Sequence, residues 1–175
     1  IVKDDPNLGE QYGKKNWIPY QAMCGKKSLQ RIVLPDKLEG IEYNAFGSCE
    51  GLTGSLLIPE GVTEVDDHAF YNCKNMTGIL SLPTTLKKIG KFAFHVCKFS
   101  SELIFPAGLT YIGESAFNQC SNLYGPLRFP DGLMYIGDMA FSYCINLTGS
   151  IAIPQGITEI PWGAFHASWG FNGTL

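Results

Sequence analysis

The feature that most constrains the fold of this chain is a repeat of about 24 residues that covers most of its 175 residues. Each repeat begins at a proline, and positions are counted from that proline. An Ala-Phe pair occupies positions 10 and 11 in the repeats that begin at Pro35, Pro59, Pro83, Pro106, Pro130 and Pro154. One such unit cannot bury its own apolar side chains, whereas stacked units form a continuous core. The sequence therefore predicts a solenoid.

The repeat also defines the predicted domain organisation. Residues 1–16 are polar and match no repeat position, which predicts a linker or an N-terminal cap. Residues 17–175 are predicted to form the solenoid, with a degenerate first repeat, five full repeats and a truncated last one. The third full repeat is one residue short and has Ser101 at its usual glycine, which predicts a kink or a tighter corner. We expect a processed protein or an excised piece that continues past Leu175.

Two apolar periodicities alternate within each repeat. Apolar residues at positions 21 and 23 have the spacing of two that is typical of a strand, and the next proline suits the strand's end. Apolar residues at positions 6, 10, 14 and 17 have the spacing of a helical face. That run is short and often has glycine at position 7, so we predict one or two turns of α- or 3₁₀-helix. Each repeat should thus give a parallel strand, a short helical turn and two corners.

Composition and charge narrow the classes of function. The hydrophobic fraction of 45% is that of a folded chain, and the net charge of −3 gives no basic surface for nucleic acid. No apolar run reaches the roughly 18 residues of a membrane helix, so this segment is not expected to insert into a membrane.

Five of the six cysteines share position 14, which predicts a ladder of thiols. They are Cys49, Cys73, Cys97, Cys120 and Cys144. Equivalent residues of adjacent turns lie about 4.8 Å apart with parallel side chains. That distance permits a disulfide, but a disulfide needs Cβ atoms that converge, and free cysteine is often buried. We predict free, buried, slowly reacting thiols, with inter-repeat disulfides as the alternative and Cys24 as the more exposed thiol.

No pattern of catalytic or cofactor-binding residues stands out. The chain lacks HExxH, CxxC, GxSxG, GxxxxGK and GxGxxG. His95 and His166 are separated by two intervening repeats, and the Asp66-Asp67 dyad alone is a weak cation signal. We therefore predict a protein that is not an enzyme and that has no metal site and no cofactor.

Charged residues of adjacent repeats are matched. Position 8 places Lys91 between Asp67 and Glu114, and position 5 places Lys88 beside Glu64. Opposite charges on neighbouring strands attract weakly. This arrangement favours pairing between turns over a ligand site.

The segment LTGSIAIPQGITEIPWGAF, with Ala-Phe-x-x-Cys in the preceding repeat, resembles the BspA-like leucine-rich repeats. The resemblance covers about residues 17–175. It implies a right-handed leucine-rich-repeat solenoid that is secreted or held at the cell surface of an anaerobic bacterium or a parasitic protist. It further implies partners that are extracellular-matrix or cell-surface proteins, with an adhesin-type role.

Two outward surfaces are candidates for a protein partner. On the predicted strand face the candidates are Leu57, Ile79, Ile104 and Arg128. On the other surface, Tyr111 and Tyr135 share position 5, where the rings either stack as a cover or form a contact site. The alternative function is a passive spacer that presents another domain of a longer surface protein.

Three Asn-x-Thr motifs begin at Asn75, Asn146 and Asn172. They match the N-glycosylation pattern. We interpret all three matches as mainly a by-product of the repeat's own Asn-Leu-Thr-Gly corner.

Overall fold

The computed structural model describes residues 14–173 as a solenoid of about six turns, or rungs, with about 24 residues each. Its strands are β1 Trp17–Ile18, β2 Gly40–Ile41, β3 Leu56–Leu57, β4 Glu64–Val65, β5 Leu80–Ser81, β6 Lys88–Ile89, β7 Glu102–Ile104, β8 Tyr111–Ile112, β9 Tyr124–Arg128, β10 Tyr135–Ile136 and β11 Asn146–Thr148. Every paired strand is parallel to its neighbour, as predicted. The predicted linker at 1–16 lies almost wholly outside the described residues, as do residues 174 and 175.

The longest sheet lies at positions 5 and 6, and it was not predicted. It has six strands in the order β1-β2-β4-β6-β8-β10. Each strand has one outward residue and one aliphatic residue in the core, the latter at most 4% exposed in Ile18, Ile41, Val65, Ile89, Ile112 and Ile136. Strands of two residues are too short to show a spacing of two in sequence, which is why position 6 was interpreted as part of a helical face.

The strand face was predicted at positions 20 to 23, and its strands form two separate sheets, with β11 earlier in its repeat at positions 16 to 18 and no strand at residues 151–153. One pairs β3 with β5, and the other has the order β11-β9-β7. The ladder is interrupted between β5 and β7, where the third full repeat is one residue short. There the Leu80 N–H donates to the hydroxyl of Ser101 at 3.3 Å instead of to a strand carbonyl. The irregular corner predicted at Ser101 thus lies at a break between two sheets.

The segment predicted as a short helix is a series of turns, and residues 14–173 contain no helix. Positions 9 and 13 have positive φ in all six repeats, which a right-handed helix excludes. In the first full repeat, the Phe46 N–H donates to Ala69 O of the next rung at 2.8 Å. The adjacent Ala45 N–H donates to Glu42 O of its own rung at 3.2 Å. Successive N–H groups therefore donate alternately to a carbonyl of their own rung and to one of the next rung. The hydrogen bonds between rungs extend the ladder around this corner.

The Ala-Phe pairs form the centre of the core, as predicted. Five of the phenylalanines are fully buried, and Phe165 of the last rung is half-buried. Their rings stack from rung to rung with centroids 5.1 to 6.0 Å apart. This continuous stack fixes the register of the rungs.

The five ladder thiols are free and fully buried. Cys73, Cys97, Cys120 and Cys144 each donate to the carbonyl of the preceding rung's phenylalanine at 3.0 to 3.2 Å. Ser168, which replaces the cysteine in the last rung, donates to Phe141 O at 2.6 Å. Position 14 therefore selects a small side chain that can donate a hydrogen bond. Burial raises the pKa of the Cys97 and Cys144 thiols to about 12, so slow reaction is expected.

Candidate functional site

The aliphatic candidates of the strand face are exposed in the structure. Leu57 is 64% exposed, Ile79 55% and Ile104 73%. Ile104 lies directly opposite Arg128 in the β7–β9 pair, whereas Leu57 lies opposite Ser81 in the β3–β5 pair. The break between β5 and β7 divides the candidate row into two parts, so only Ile104 and Arg128 are brought together on one sheet.

A bulge next to this pair creates a groove. The three residues of β7 pair with the five residues of β9, and the register shifts between Glu102 and Ile104. Gly125, with φ of 81°, provides the left-handed residue that such a bulge favours. The groove beside it has a volume of about 490 Å³. It is lined by Glu102, Leu103, Ile104, Phe105, Ala107, Pro126, Arg128, Phe129, Pro130, Asp131 and Gly132.

The floor of the groove is aromatic. The rings of Phe105 and Phe129 stack with centroids 6.1 Å apart, and both pack against Phe141 of the core. A second depression of about 490 Å³ continues from Phe129 to Ala152. Half-buried aromatic rings held by the core give a preformed apolar floor, which is typical of a binding site.

The charges at the rim of the groove are unpaired. Arg128 is exposed, and among the described residues its guanidinium forms no ion pair and no hydrogen bond. Glu102 and Asp131 also line the groove without a cationic partner in the part of the chain that the structure describes. A guanidinium beside an apolar floor is suited to a carboxylate or a backbone carbonyl of a partner.

Tyr111 and Tyr135 lie side by side on the six-stranded sheet. Their ring centroids are 4.6 Å apart and the planes differ by 9°. Burial first, and then the neighbouring Tyr135, raises the pKa of the Tyr111 hydroxyl. Each ring covers one face of the other, so the faces that meet in the stack are closed to a partner. This geometry favours the interpretation of the pair as a stacked cover.

Comparison with known proteins identifies the repeat. A family model described as BspA type leucine rich repeat region (6 copies) matches residues 16–148 and 124–172. This chain belongs to the BspA-type leucine-rich repeat family. Leucine-rich repeats of this kind are typically protein-interaction modules. No curated protein matches the chain.

Three solved structures share the fold of this BspA-type chain. A leucine-rich repeat protein of T. pallidum is 28% identical with a TM-score of 0.76, covering 89% of this chain and 71% of its own. A leucine-rich repeat protein from Bacteroides ovatus is 23% identical with a TM-score of 0.59, covering 90% and 58%. A leucine rich cell surface protein from Faecalibacterium prausnitzii is 20% identical with a TM-score of 0.56, covering 99% and 63%. The BspA-type chain thus spans about three fifths of the last two proteins.

A second aromatic cluster of the BspA-type chain was missed in the sequence. It contains Tyr20, Tyr43, His68, Tyr71, Phe92 and His95. The contacting rings have centroids 5.0 to 5.7 Å apart and span four rungs. Aromatic residues at positions 8, 9 and 12 of adjacent repeats were the available signal. The rings mainly cover one another, as Tyr111 and Tyr135 do.

The charge pairs agree with pairing between rungs. Lys88 forms an ion pair with Glu64 and lies 3.6 Å from Asp66, and Lys91 lies 3.6 Å from Glu114. Asp67 instead accepts the Lys91 backbone N–H at 2.7 Å. Residues 14–173 of the BspA-type chain contain no cluster of three or more His, Cys, Asp or Glu side chains that could hold a metal ion. In that same range no helix has the length and apolar character needed to span a bilayer.

The Asn-x-Thr corners have a structural role in the BspA-type solenoid. The side-chain amide of Asn75 donates to Glu50 O of the preceding rung at 2.7 Å, and that of Asn146 donates to Ser121 O at 2.8 Å. The third motif includes Thr174, which lies outside the described residues. Asparagine at this corner therefore connects rungs, whether or not it is glycosylated.

Proposed function

We propose that this chain is a protein-binding module of a secreted or cell-surface protein, with an adhesin-type role toward extracellular-matrix or partner-cell proteins. The observation that supports this proposal most is the groove at the β7–β9 bulge. It combines exposed Ile104, the aromatic floor of Phe105 and Phe129, and the unpaired guanidinium of Arg128. Apolar anchors together with arginine are typical of interface hot spots.

The mode of binding follows from the size and shape of the groove. A depression of about 490 Å³ admits a few residues of an extended polypeptide rather than a whole domain. One such contact is small for a tight complex. We therefore propose a low-affinity contact that becomes effective when many copies or many repeats bind together.

The experiment compares two double variants with the wild-type chain. Ile104→Asp with Arg128→Glu alters the groove, whereas Tyr111→Ser with Tyr135→Ser alters the stacked pair on the other surface. Each variant is checked for folding by circular dichroism and assayed for binding to immobilised matrix proteins. We expect the groove variant to bind at least about tenfold more weakly and the tyrosine variant to bind as wild type.

The other outcomes decide against parts of the proposal. If only the tyrosine variant loses binding, the site is on the six-stranded sheet. If neither variant loses binding, both site assignments are wrong. If the wild-type chain, tested as a multivalent display, binds none of the matrix or cell-surface proteins, the passive spacer is the better function.

A further inference from the structure

The six-stranded sheet ends one rung before the solenoid does. At each of its five junctions, the N–H at position 4 donates to the position 4 carbonyl of the preceding rung at 2.8 to 3.0 Å. The N–H at position 7 donates to the position 6 carbonyl of the preceding rung at 2.7 to 2.9 Å. The sixth repeat has Thr158 and Pro161 at these positions, and within residues 14–173 neither makes the corresponding bond to β10.

Pro161 explains why the ladder stops. Proline has no backbone N–H, so position 161 cannot donate to the carbonyl of Ile136 as position 7 does elsewhere. Pairing resumes immediately afterwards, because Met139 N–H donates to Trp162 O at 2.9 Å. The interruption is therefore local to residues 158–161, and it leaves the carbonyls of Met134 and Ile136 without their usual ladder donors.

A gap separates β10 from this detached segment. Its volume is about 260 Å³. It is lined by Met134, Tyr135, Ile136, Asp138, Ile157, Thr158, Glu159 and Pro161. Met134 is 69% exposed and Tyr135 45% exposed, so one wall of the gap is apolar and accessible. An open strand edge with apolar neighbours is a template for pairing with another chain.

The acidic side chains beside the gap indicate which kind of polypeptide would bind there. Asp138 and Glu159 are both exposed, and no lysine or arginine of the described residues forms an ion pair with either. One carboxylate oxygen of Asp138 accepts the Trp162 N–H at 2.9 Å. Two uncompensated carboxylates beside a strand edge favour an entering segment that carries lysine or arginine.

We propose that the β10 edge binds an extended, basic segment of another polypeptide, which adds to the six-stranded sheet as a further parallel strand. The entering segment occupies the gap and moves residues 158–161 outward. Its backbone N–H groups satisfy Met134 O and Ile136 O, and its cationic side chain lies beside Asp138 and Glu159. This site is separate from the β7–β9 groove.

The chain itself contains a model of the ligand. In residues 84–91, TTLKKIGK, Lys87 N–H donates to Thr63 O at 2.8 Å and Gly90 N–H donates to Val65 O at 2.7 Å. In the register of these bonds Lys91 shares position 8 with Asp138, and Lys88 shares position 5 with Glu159. A synthetic peptide of this sequence therefore carries both ladder donors and a lysine in register with each of the two carboxylates.

The experiment titrates this peptide into the isotope-labelled chain and follows backbone amide shifts by NMR. We expect shifts centred on Tyr135, Ile136 and residues 158–160. The same peptide with Gly90→Pro lacks one donor and should bind about tenfold more weakly. The protein variant Pro161→Gly has the residue found at position 7 of three other rungs, and it restores the missing N–H. Because that N–H can donate to the carbonyl of Ile136 in place of the peptide, this variant should also bind the peptide about tenfold more weakly.

Charge is tested by Asp138→Asn with Glu159→Gln, which keeps the side-chain acceptors. This variant should weaken peptide binding several-fold and reduce its salt dependence. Ile104→Asp with Arg128→Glu should leave peptide binding unchanged, which separates this site from the proposed function. The proposal is overturned if millimolar peptide shifts no amide of β10, if the Gly90→Pro peptide binds equally well, or if neither the Pro161→Gly nor the charge variant changes the affinity.

Discussion

Two residues of every repeat have a left-handed backbone that most side chains disfavour. Positions 9 and 13 have φ between 51° and 64° in the six repeats from Pro35 onward. Asparagine tolerates this conformation, as at Asn44 and Asn72, and glycine does at Gly163. The same positions also hold Phe92, Met139 and Val96. The stacked core therefore imposes this backbone conformation on residues for which it is unfavourable.

Val96 is the most strained of these residues, because a β-branched side chain at φ of 64° clashes with its own backbone. We expect Val96→Asn to raise the free energy of unfolding by about 1 kcal/mol, since relief of strain exceeds the loss of a half-buried side chain. Urea denaturation provides the measurement. The matched change Asn72→Val should lower stability by a similar amount, and a stabilising effect of Asn72→Val would contradict this account.

The imidazoles of the aromatic cluster predict a dependence of stability on pH. The Nδ1 atoms of His68 and His95 are buried and have no hydrogen-bond partner among the described residues. Burial lowers the pKa of both imidazoles. At His68 the negative charges of Asp67 and Glu114 oppose this shift. At His95 the positive charges of His68 and Lys98 reinforce it. An unfolded histidine has a pKa of about 6.5. As the pH falls, these two imidazoles therefore bind protons in the unfolded chain before they do so in the folded chain. The free energy of unfolding then decreases as the pH drops below about 6.5, and it stops decreasing once the pH is below the lower pKa of the folded state.

We expect the free energy of unfolding to decrease as the pH falls below about 6.5. The variant His68→Phe with His95→Tyr places the rings found in neighbouring repeats at these positions and should flatten this decrease. Exposed His166 supplies the control substitution, His166→Asn. An equal slope in the wild type and the double variant would show that these imidazoles do not control acid stability.

At the scale of the structural elements, the rungs approach one another closely at position 7. A Cβ atom added at Gly113 would lie 2.5 Å from the backbone nitrogen of Lys91 in the preceding rung. The ladder at this position is made by two-residue strands, so it depends on backbone contact more than on side-chain packing. At Gly90, Gly113 and Gly137 this corner therefore leaves no room for a side chain.

Gly113→Ala should reduce the free energy of unfolding by several kcal/mol, because the clash is with backbone atoms that cannot move independently. Gly132→Ala is the matched control, since its added Cβ would lie 3.8 Å from the nearest atom. Thermal denaturation of both variants gives the comparison. Equal melting temperatures would mean that the rungs can separate at this corner without loss of stability.

On the scale of the whole molecule, stability should follow the number of neighbours that each rung has. In a solenoid each rung contacts only the rungs beside it, so the interior rungs are held on both sides. The sixth repeat has one described neighbour and lacks its ladder bonds at residues 158–161. Local opening should therefore begin at this end.

Native-state hydrogen exchange measures this gradient directly. The amides of Gly90 and Gly113, bonded at 2.7 and 2.8 Å to the preceding rung, should exchange only with global unfolding. The amides of Thr158, Glu159 and Ile160 should exchange at least about a hundredfold faster. Similar protection in both groups would argue that the sixth repeat is held by contacts other than the ladder.

The sequence by itself determined the period, the stacking and the core. Regularly spaced proline, Ala-Phe and cysteine residues require rungs in register, and the structure confirms the buried Ala-Phe pairs and the free thiols. It also identified Ile104, Arg128 and the tyrosine pair as outward residues. Side-chain patterns suffice for these conclusions, because whether a position is buried determines which residue type it holds. The repeat shows the same residue type at that position in every rung.

Only the tertiary structure decided where the backbone hydrogen bonds lie. The longest sheet, the left-handed turns in place of a helix, the groove at the β7–β9 bulge and the gap beside Pro161 all depend on which carbonyl faces which N–H across rungs. Pro161 is visible in the sequence, but its effect follows only once position 7 is known to donate to the preceding rung. Almost every residue has the same backbone groups, so the pattern of residue types says little about which N–H is paired with which carbonyl.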